Sequence, residues 1–255
     1  MRIIAFANQK GGVGKSTSAV NIGAGLVRLG KRVLWIDLDP QAHLTYSLGV
    51  KAHELSSSIY DLLRGRMTWQ EVAIVRGGEE GLGKIIPATL DLAGAEIELA
   101  GMPGRELLLR EALEGVRGFD YLLIDCPPNL GLLTVNALAA AKEVFIPLQA
   151  EYLALQGVSK LVETVDIVKK RLNKKLTITG VIATRYDTRK TLNREVVETI
   201  RGYFGDKVFQ TMIRDNIAVA EAPSYGKSIF EYAPQSKGAA DYTALCKEIE
   251  GRDTK

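Results

Sequence analysis

The stretch Ile3-Ile4-Ala5-Phe6-Ala7-Asn8-Gln9-Lys10-Gly11-Gly12-Val13-Gly14-Lys15-Ser16-Thr17 decides the fold. A short apolar run of strand type enters a glycine-rich turn, and a segment with helical spacing, 16–29, leaves it and stops at Gly30. Gly14, Lys15 and Ser16 obey the phosphate-binding pattern G-x-x-x-x-G-K-[ST]. Two positions depart from it. Gln9 stands where the first glycine belongs, and an additional lysine, Lys10, follows it. Glycines 11, 12 and 14 let the backbone curl so that several N–H groups face one point, and the dipole of the next helix adds positive potential there. Lys15 is expected on the β- and γ-phosphates and the Ser16 hydroxyl on Mg²⁺. One lysine suffices for that chemistry, so Lys10 needs its own explanation.

Outward from this loop, strand-like and helix-like segments alternate to the end of the chain. Strands are expected at 32–37, 84–87, 121–125, 143–147 and 176–183, and helices at 104–116, 155–172, 193–204 and 239–249. Nearly continuous apolar strands separated by helices indicate an α/β fold: a doubly wound, mostly parallel sheet flanked by helices. With no repeat or low-complexity linker, residues 1–255 are expected to form one domain. In such sheets ligands sit beyond the carboxyl ends of the strands. Three clusters end strands there: the glycine loop, Asp37-Leu38-Asp39-Pro40, and Asp125-Cys126-Pro127-Pro128. Asp125 and Asp37 are candidates for Mg²⁺, which takes one or two carboxylates and keeps several waters. Asp39, further into its loop, is better placed to orient an attacking water.

Composition narrows the classes. Cys126 and Cys246 are the only cysteines, far apart, which excludes an iron–sulfur or zinc framework and points to a reducing compartment. No charged leader with an apolar segment opens the chain and no apolar run approaches ~20 residues. A cytoplasmic protein is expected. A net charge of +3 is too small to predict nucleic-acid binding unless the basic residues share one face. Trp35 is expected in the core, Trp69 in helix packing, and His43 and His53 in loops or on the surface.

At this level of detail a family resemblance emerges. The run 8–17 resembles the deviant Walker A box of the ParA/MinD ATPases, a branch of the P-loop NTPases. Asp37-Leu38-Asp39-Pro40-Gln41 resembles their switch I, and Asp125-Cys126-Pro127-Pro128-Asn129-Leu130-Gly131 their Walker B and switch II. Glu221-Ala222-Pro223-Ser224-Tyr225-Gly226-Lys227 is similar to a block of the Soj-like, chromosomal ParA branch. These motifs span nearly the whole chain in the right order.

The resemblance implies ATP and Mg²⁺ as ligands, with Lys10, Gly11, Gly12, Val13, Gly14, Lys15, Ser16 and Thr17 around the nucleotide. It implies a homodimer when ATP is bound, in which Lys10 reaches the partner's phosphates and acts with Lys15 and Asp39 in catalysis. Gly12 would lie at the close approach between subunits. Glu151 would contact ribose across the dimer, and Thr184, Arg214 and Asp215 would lie by the adenine. It further implies a ParB-like activator and non-specific double-stranded DNA as partners, hence a nucleoid-associated ATP hydrolase serving chromosome or plasmid partition. Arg189 matches a family DNA-contacting arginine, with Lys190 beside it. The family's basic stretch reads Arg214-Asp215-Asn216-Ile217-Ala218 here, with Asp and Ala at two basic positions and Arg214 a DNA-binding candidate that compensates in part. Lys169, Lys170 and Arg171 form a second candidate cluster, although cations also suit a helix C-terminus on dipole grounds alone.

The tail from Cys246 is too charged for the membrane-binding helix of the MinD branch, so no membrane partner is expected. Tyrosine-kinase relatives carry a tyrosine-rich tail, whereas Tyr242 stands alone near this end. With a first strand beginning at residue 2, an N-terminal helix-turn-helix is not expected. Two other readings stay open: a ParA-like ATPase that positions another cargo (a chemoreceptor array, flagellum or microcompartment) through an adaptor, and a nucleotide-dependent metabolic enzyme.

Overall fold

Strand β2, Val33–Asp37, and strand β5, Tyr121–Asp125, are buried along their whole length, and their side chains serve two cores at once. Ile4 and Phe6 of β1 (Arg2–Phe6) face one core with Trp35 and Leu123, while Ala5 faces the other with Ile36 and Ile124. A strand apolar on both sides needs helices on both sides, and the parallel register supplies the crossovers that put them there. The computed structural model describes residues 1–76, 81–151, 155 and 157–252. They form a seven-stranded sheet in the order β3-β4-β2-β5-β1-β6-β7, with β3 Ile74–Arg76, β4 Gly83–Ile86, β6 Glu143–Gln149 and β7 Thr177–Thr184. All pairings are parallel except β3 with β4.

The helices in chain order are α1 Lys15–Arg28, α2 His43–Ser47, α3 Ile59–Leu63, α4 Trp69–Val72, α5 Leu92–Leu99, α6 Leu108–Ala112, α7 Leu132–Ala140, α8 Val158–Arg171, α9 Thr191–Phe204, α10 Ile217–Glu221, α11 Ile229–Tyr232 and α12 Lys237–Gly251. Helices α1, α11 and α12 cover the face that holds Trp35, and α3 and α5 to α8 cover the other. In α12, Leu245, Cys246 and Ile249 are fully buried within that first face. Among the described residues no helix is long and apolar enough to cross a membrane. Asp253 to Lys255, the end of the charged tail, lie outside the described residues.

The expected strands and long helices stand within three residues of their predicted ends. One element is shorter. The helix expected over 104–116 is confined to Leu108–Ala112, because Gly104 turns the chain at φ 68° and Gly115 at φ 85°. Trp69 packs edge-on against Phe119, as expected of a packing residue.

Trp35 explains a glycine in the middle of α1. Its indole lies flat under the helix and donates from Nε1 to the Ala19 carbonyl at 2.9 Å. A methyl group at Gly23 would overlap the indole ring. Gly23→Ala gains helix propensity worth ~1 kcal/mol, yet it should lower unfolding stability by a net ~1–3 kcal/mol through overpacking. Urea denaturation measures this, and an unchanged or raised midpoint would contradict the packing.

Candidate phosphate-binding site

The loop between β1 and α1 is held in shape from three sides. Asn8 donates from Nδ2 to the Pro147 carbonyl at 2.7 Å and accepts from the Lys10 N–H at 3.0 Å. Gln149, at the end of β6, donates to the Gly12 carbonyl at 2.8 Å, and Thr184, at the end of β7, donates its hydroxyl to the Val13 carbonyl at 2.9 Å. With the Gly12 and Val13 carbonyls tied back to the sheet, the N–H groups beyond Lys10 are left for a ligand. Gly12 at φ 73° and Gly14 at φ 90° occupy left-handed backbone that a side chain would strain. Gly14 is the N-cap of α1 and brings no capping side chain, and no acid sits in the first turn. The uncapped N–H groups and the dipole therefore face the site with nothing of the chain's own to neutralise them.

A cleft of about 350 Å³ opens beside the loop. Gly12, Val13, Gly14, Thr17, Thr184, Arg214 and Asp215, all expected at the nucleotide, line it together, as do Arg185, Ile213 and Asn216. Lys15 is 7% exposed and its Nζ rests 3.5 Å from the Lys10 carbonyl, inside the curl of the loop. A side-chain carbon built at Gly11 or Gly12 meets no atom of this chain. Within this chain, backbone conformation alone therefore requires Gly12 here.

Parallel register sets Phe6, Asp125 and Asp37 side by side at the carboxyl edge. Both carboxylates are completely buried, and they behave differently. Neither oxygen of Asp125 has a hydrogen bond of ordinary length. Burial, and next the charge of Asp37, hold its pKa well above the usual carboxylate range, with Ser16 and Lys15 countering. Buried polar atoms are nearly always satisfied, so this orphaned carboxylate marks a place for something the chain does not itself provide. With the Ser16 hydroxyl beside it, the donor set is hard oxygen, which suits Mg²⁺. Among the described residues no group of three His, Cys, Asp or Glu could hold a metal alone.

Asp37, expected as a second Mg²⁺ ligand, is instead occupied by the chain. Its Oδ2 accepts from the Thr45 N–H at 2.9 Å and the Thr45 hydroxyl at 2.7 Å, and its Oδ1 accepts from the Asp39 N–H at 3.0 Å. Its pKa is pushed up to about 6 by burial, with those hydrogen bonds opposing. Asp39 is 6% exposed, and its Oδ1 accepts from the Gln41 N–H at 3.0 Å. Cys126 is wholly buried and burial pushes its thiol up, the behaviour of a core residue.

Lys10 is not among the residues that line the cleft. Its Nζ pairs at 3.0 Å with Oε2 of Glu151, both side chains about half exposed. The basic residues divide. Arg189 and Lys190 follow β7 at the loop end of the sheet, where Tyr186 bridges to Arg214. Lys169, Lys170 and Arg171 form the last turn of α8, which descends from the loop end to the start of β7, so they lie at the opposite edge. The two clusters expected to bind DNA thus lie at opposite ends of the sheet. Arg214 is also committed: its guanidinium spans both oxygens of Asp241. Arg189 is 87% exposed at its side chain and is held by Asp187 at 2.9 Å, which lowers the Asp187 carboxyl to about 2.

The buried, unpaired Asp125 leads to a stability test. Asp125→Asn removes a carboxyl that folding must either desolvate as a charge or protonate, so near neutral pH the ligand-free protein should melt at least ~2 °C higher. Calorimetry decides, and an unchanged or lower midpoint would contradict the assignment.

Comparison with known proteins agrees with this geometry. A family profile described as an AAA domain matches residues 1–178. The chain is 48% identical over 249 residues to the sporulation initiation inhibitor protein Soj of Bacillus subtilis, covering 97% of this chain and 98% of that one. It is 45% identical over 254 residues to the chromosome partitioning protein ParA of Myxococcus xanthus, covering 99% and 89%. Among solved structures, one named cobyrinic acid a,c-diamide synthase from Mycobacterium smegmatis, crystallised with ADP and magnesium, superposes with a TM-score of 0.85 at 37% identity, covering 97% and 93%. With the loop, the strand-end acids and this full-length similarity together, the chain belongs to the Soj/ParA family of P-loop ATPases.

Proposed function

We propose that this protein is an ATP-driven partition switch: two ATP-bound subunits face each other, bind DNA without sequence preference, and separate when a partner protein of ParB type stimulates hydrolysis. The observation that carries this reading is Lys10, a second lysine of the phosphate loop that does not line its own cleft and is held, half-exposed, by Glu151. An exposed ion pair of this kind is worth ~0–1 kcal/mol. A cation delivered to a partner's phosphates is worth ~10³–10⁵ in rate, or roughly 4–7 kcal/mol. That gain is transition-state stabilisation which a second subunit supplies, so in this reading hydrolysis depends on the dimer. The 48% identity to Soj, above the 37% to the synthase, supports a switch over a small-substrate enzyme.

In this reading Ser16 and Asp125 would hold Mg²⁺, which would supply positive charge against the phosphates. Lys15 and the N–H groups of 11–16 hold the phosphates. Thr184, Arg214 and Asp215 bound the base. Asp39 keeps one oxygen on Gln41 and offers the other to the attacking water. Water adds to the γ-phosphorus, the bond to the bridging oxygen breaks, and ADP and phosphate leave.

The DNA surface in this reading is the loop end of the sheet, with Arg189 and Lys190 at its centre, because dimerisation can gate that end directly. Asp215 pairs with Arg185 at 3.6 Å, so the acid at a family-basic position is partly offset.

Lys10→Ala should bind ATP within about threefold of wild type and stay monomeric in light scattering with a non-hydrolysable analogue. ATP-dependent dimers of that variant would contradict the trans role. For DNA, log affinity of the ATP form should fall linearly with log salt, and Arg189→Ala should reduce the slope by ~1. An unchanged slope would move the contact elsewhere.

A further inference from the structure

Thr45 lies eight residues beyond Asp37, in the short helix α2, and is fully buried. Its hydroxyl donates to Asp37 Oδ2 at 2.7 Å and accepts from the Ala88 N–H at 3.0 Å, just past the end of β4. One oxygen atom thus ties three segments: the end of β2, the start of α2 and the turn after β4. Asp37 passes the constraint on, because its Oδ1 holds the Asp39 N–H at 3.0 Å. Between Asp39 and Thr45 the backbone turns sharply. The Ala42 N–H donates to the Asp39 carbonyl at 2.8 Å, and Ala42 itself sits at φ 53°, left-handed backbone that a non-glycine residue adopts only under constraint. The far end of α2 is clamped too. Gly49 and Gly226 pack so closely that a side-chain carbon at Gly226 would lie 2.5 Å from the Gly49 Cα.

We infer that Thr45 is a positioning residue for hydrolysis: its hydroxyl, shared between Asp37 and the Ala88 N–H, fixes the 37–42 turn and so aims the Asp39 carboxylate at the attacking water. The inference rests on the hydrolysis reading above. It assigns to Asp37 the task of a strut rather than a ligand. A fixed turn lowers the reorganisation needed at the moment of attack, where a misplacement of 1 Å can slow a reaction about 10²-fold. It does little for ground-state binding of the nucleotide, whose phosphates meet the loop on the other side of Asp125.

The test is a pair of substitutions read by basal ATP turnover and by equilibrium ATP binding. Thr45→Val keeps the shape and the backbone N–H but removes the hydroxyl. It should lower kcat about tenfold or more while the ATP Kd stays within about threefold. Thr45→Ser should return kcat to within about threefold of wild type. The inference fails if Thr45→Val turns over within twofold of wild type, if kcat and affinity fall in proportion, or if serine rescues no better than valine. Should Thr45→Val be unfolded by circular dichroism, hydrogen exchange in the wild type decides. The Asp39, Thr45 and Ala88 amides should be protected at least 100-fold without nucleotide, and free exchange at any of them overturns the strut. A wild type with no ATP turnover overturns the hydrolysis reading itself, and this inference with it; normal turnover in Thr45→Val overturns only the inference.

Discussion

Two carboxylates ending adjacent parallel strands, in register and without solvent, set the terms for everything around the phosphate loop. Each loses the water that would stabilise its charge, and the charge of Asp37 further raises the proton affinity of Asp125 while that of Asp39 raises Asp37's. The chain resolves the conflict unequally. It gives Asp37 three hydrogen bonds from its own backbone and Thr45, and it gives Asp125 none of ordinary length. The first acid becomes part of the frame. The second is left incomplete at the place where a cation and a phosphate chain would meet, so the site is built to be finished by a ligand.

The sheet makes this arrangement cheap to build. Strands such as Val33–Asp37 are buried on both faces, so hydrophobic burial fixes their register, and register fixes which residue ends at the carboxyl edge. The ends of β6 and β7 then reach over to tie down the loop through Gln149 and Thr184. The same edge that positions the phosphates also carries Glu151, the partner of Lys10, two residues after Gln149. The residue that holds Lys10 and the residue that ties down the loop thus sit at one strand end.

Much of this was legible from residues alone, for identifiable reasons. Tyr121–Asp125 is a strand in any reading because five apolar or strand-ending residues run between turns, and the loop at 8–17 carries its own grammar of glycine, lysine and hydroxyl. The failures are those of distance and topology. Ile74–Arg76 is three residues long and antiparallel, too short for a periodicity to register. The extent of α6 depends on left-handed glycines whose φ values spacing does not reveal. The task of Asp37 hangs on Thr45 and on Ala88 in another strand's turn, a contact no local pattern encodes. Lys169 to Arg171 look like part of a basic surface until the direction of α8 places them at the opposite edge from Arg189.

The central claim is that the site is completed jointly by a divalent cation and a triphosphate. Thermal unfolding of the wild type with a non-hydrolysable ATP analogue, with Mg²⁺, and with both tests it most directly, since any ligand that favours the folded state raises its stability by mass action. The account predicts a rise with both together well above the sum of the separate rises. A purely additive response would mean that Asp125 does not wait for the metal, and would contradict the account.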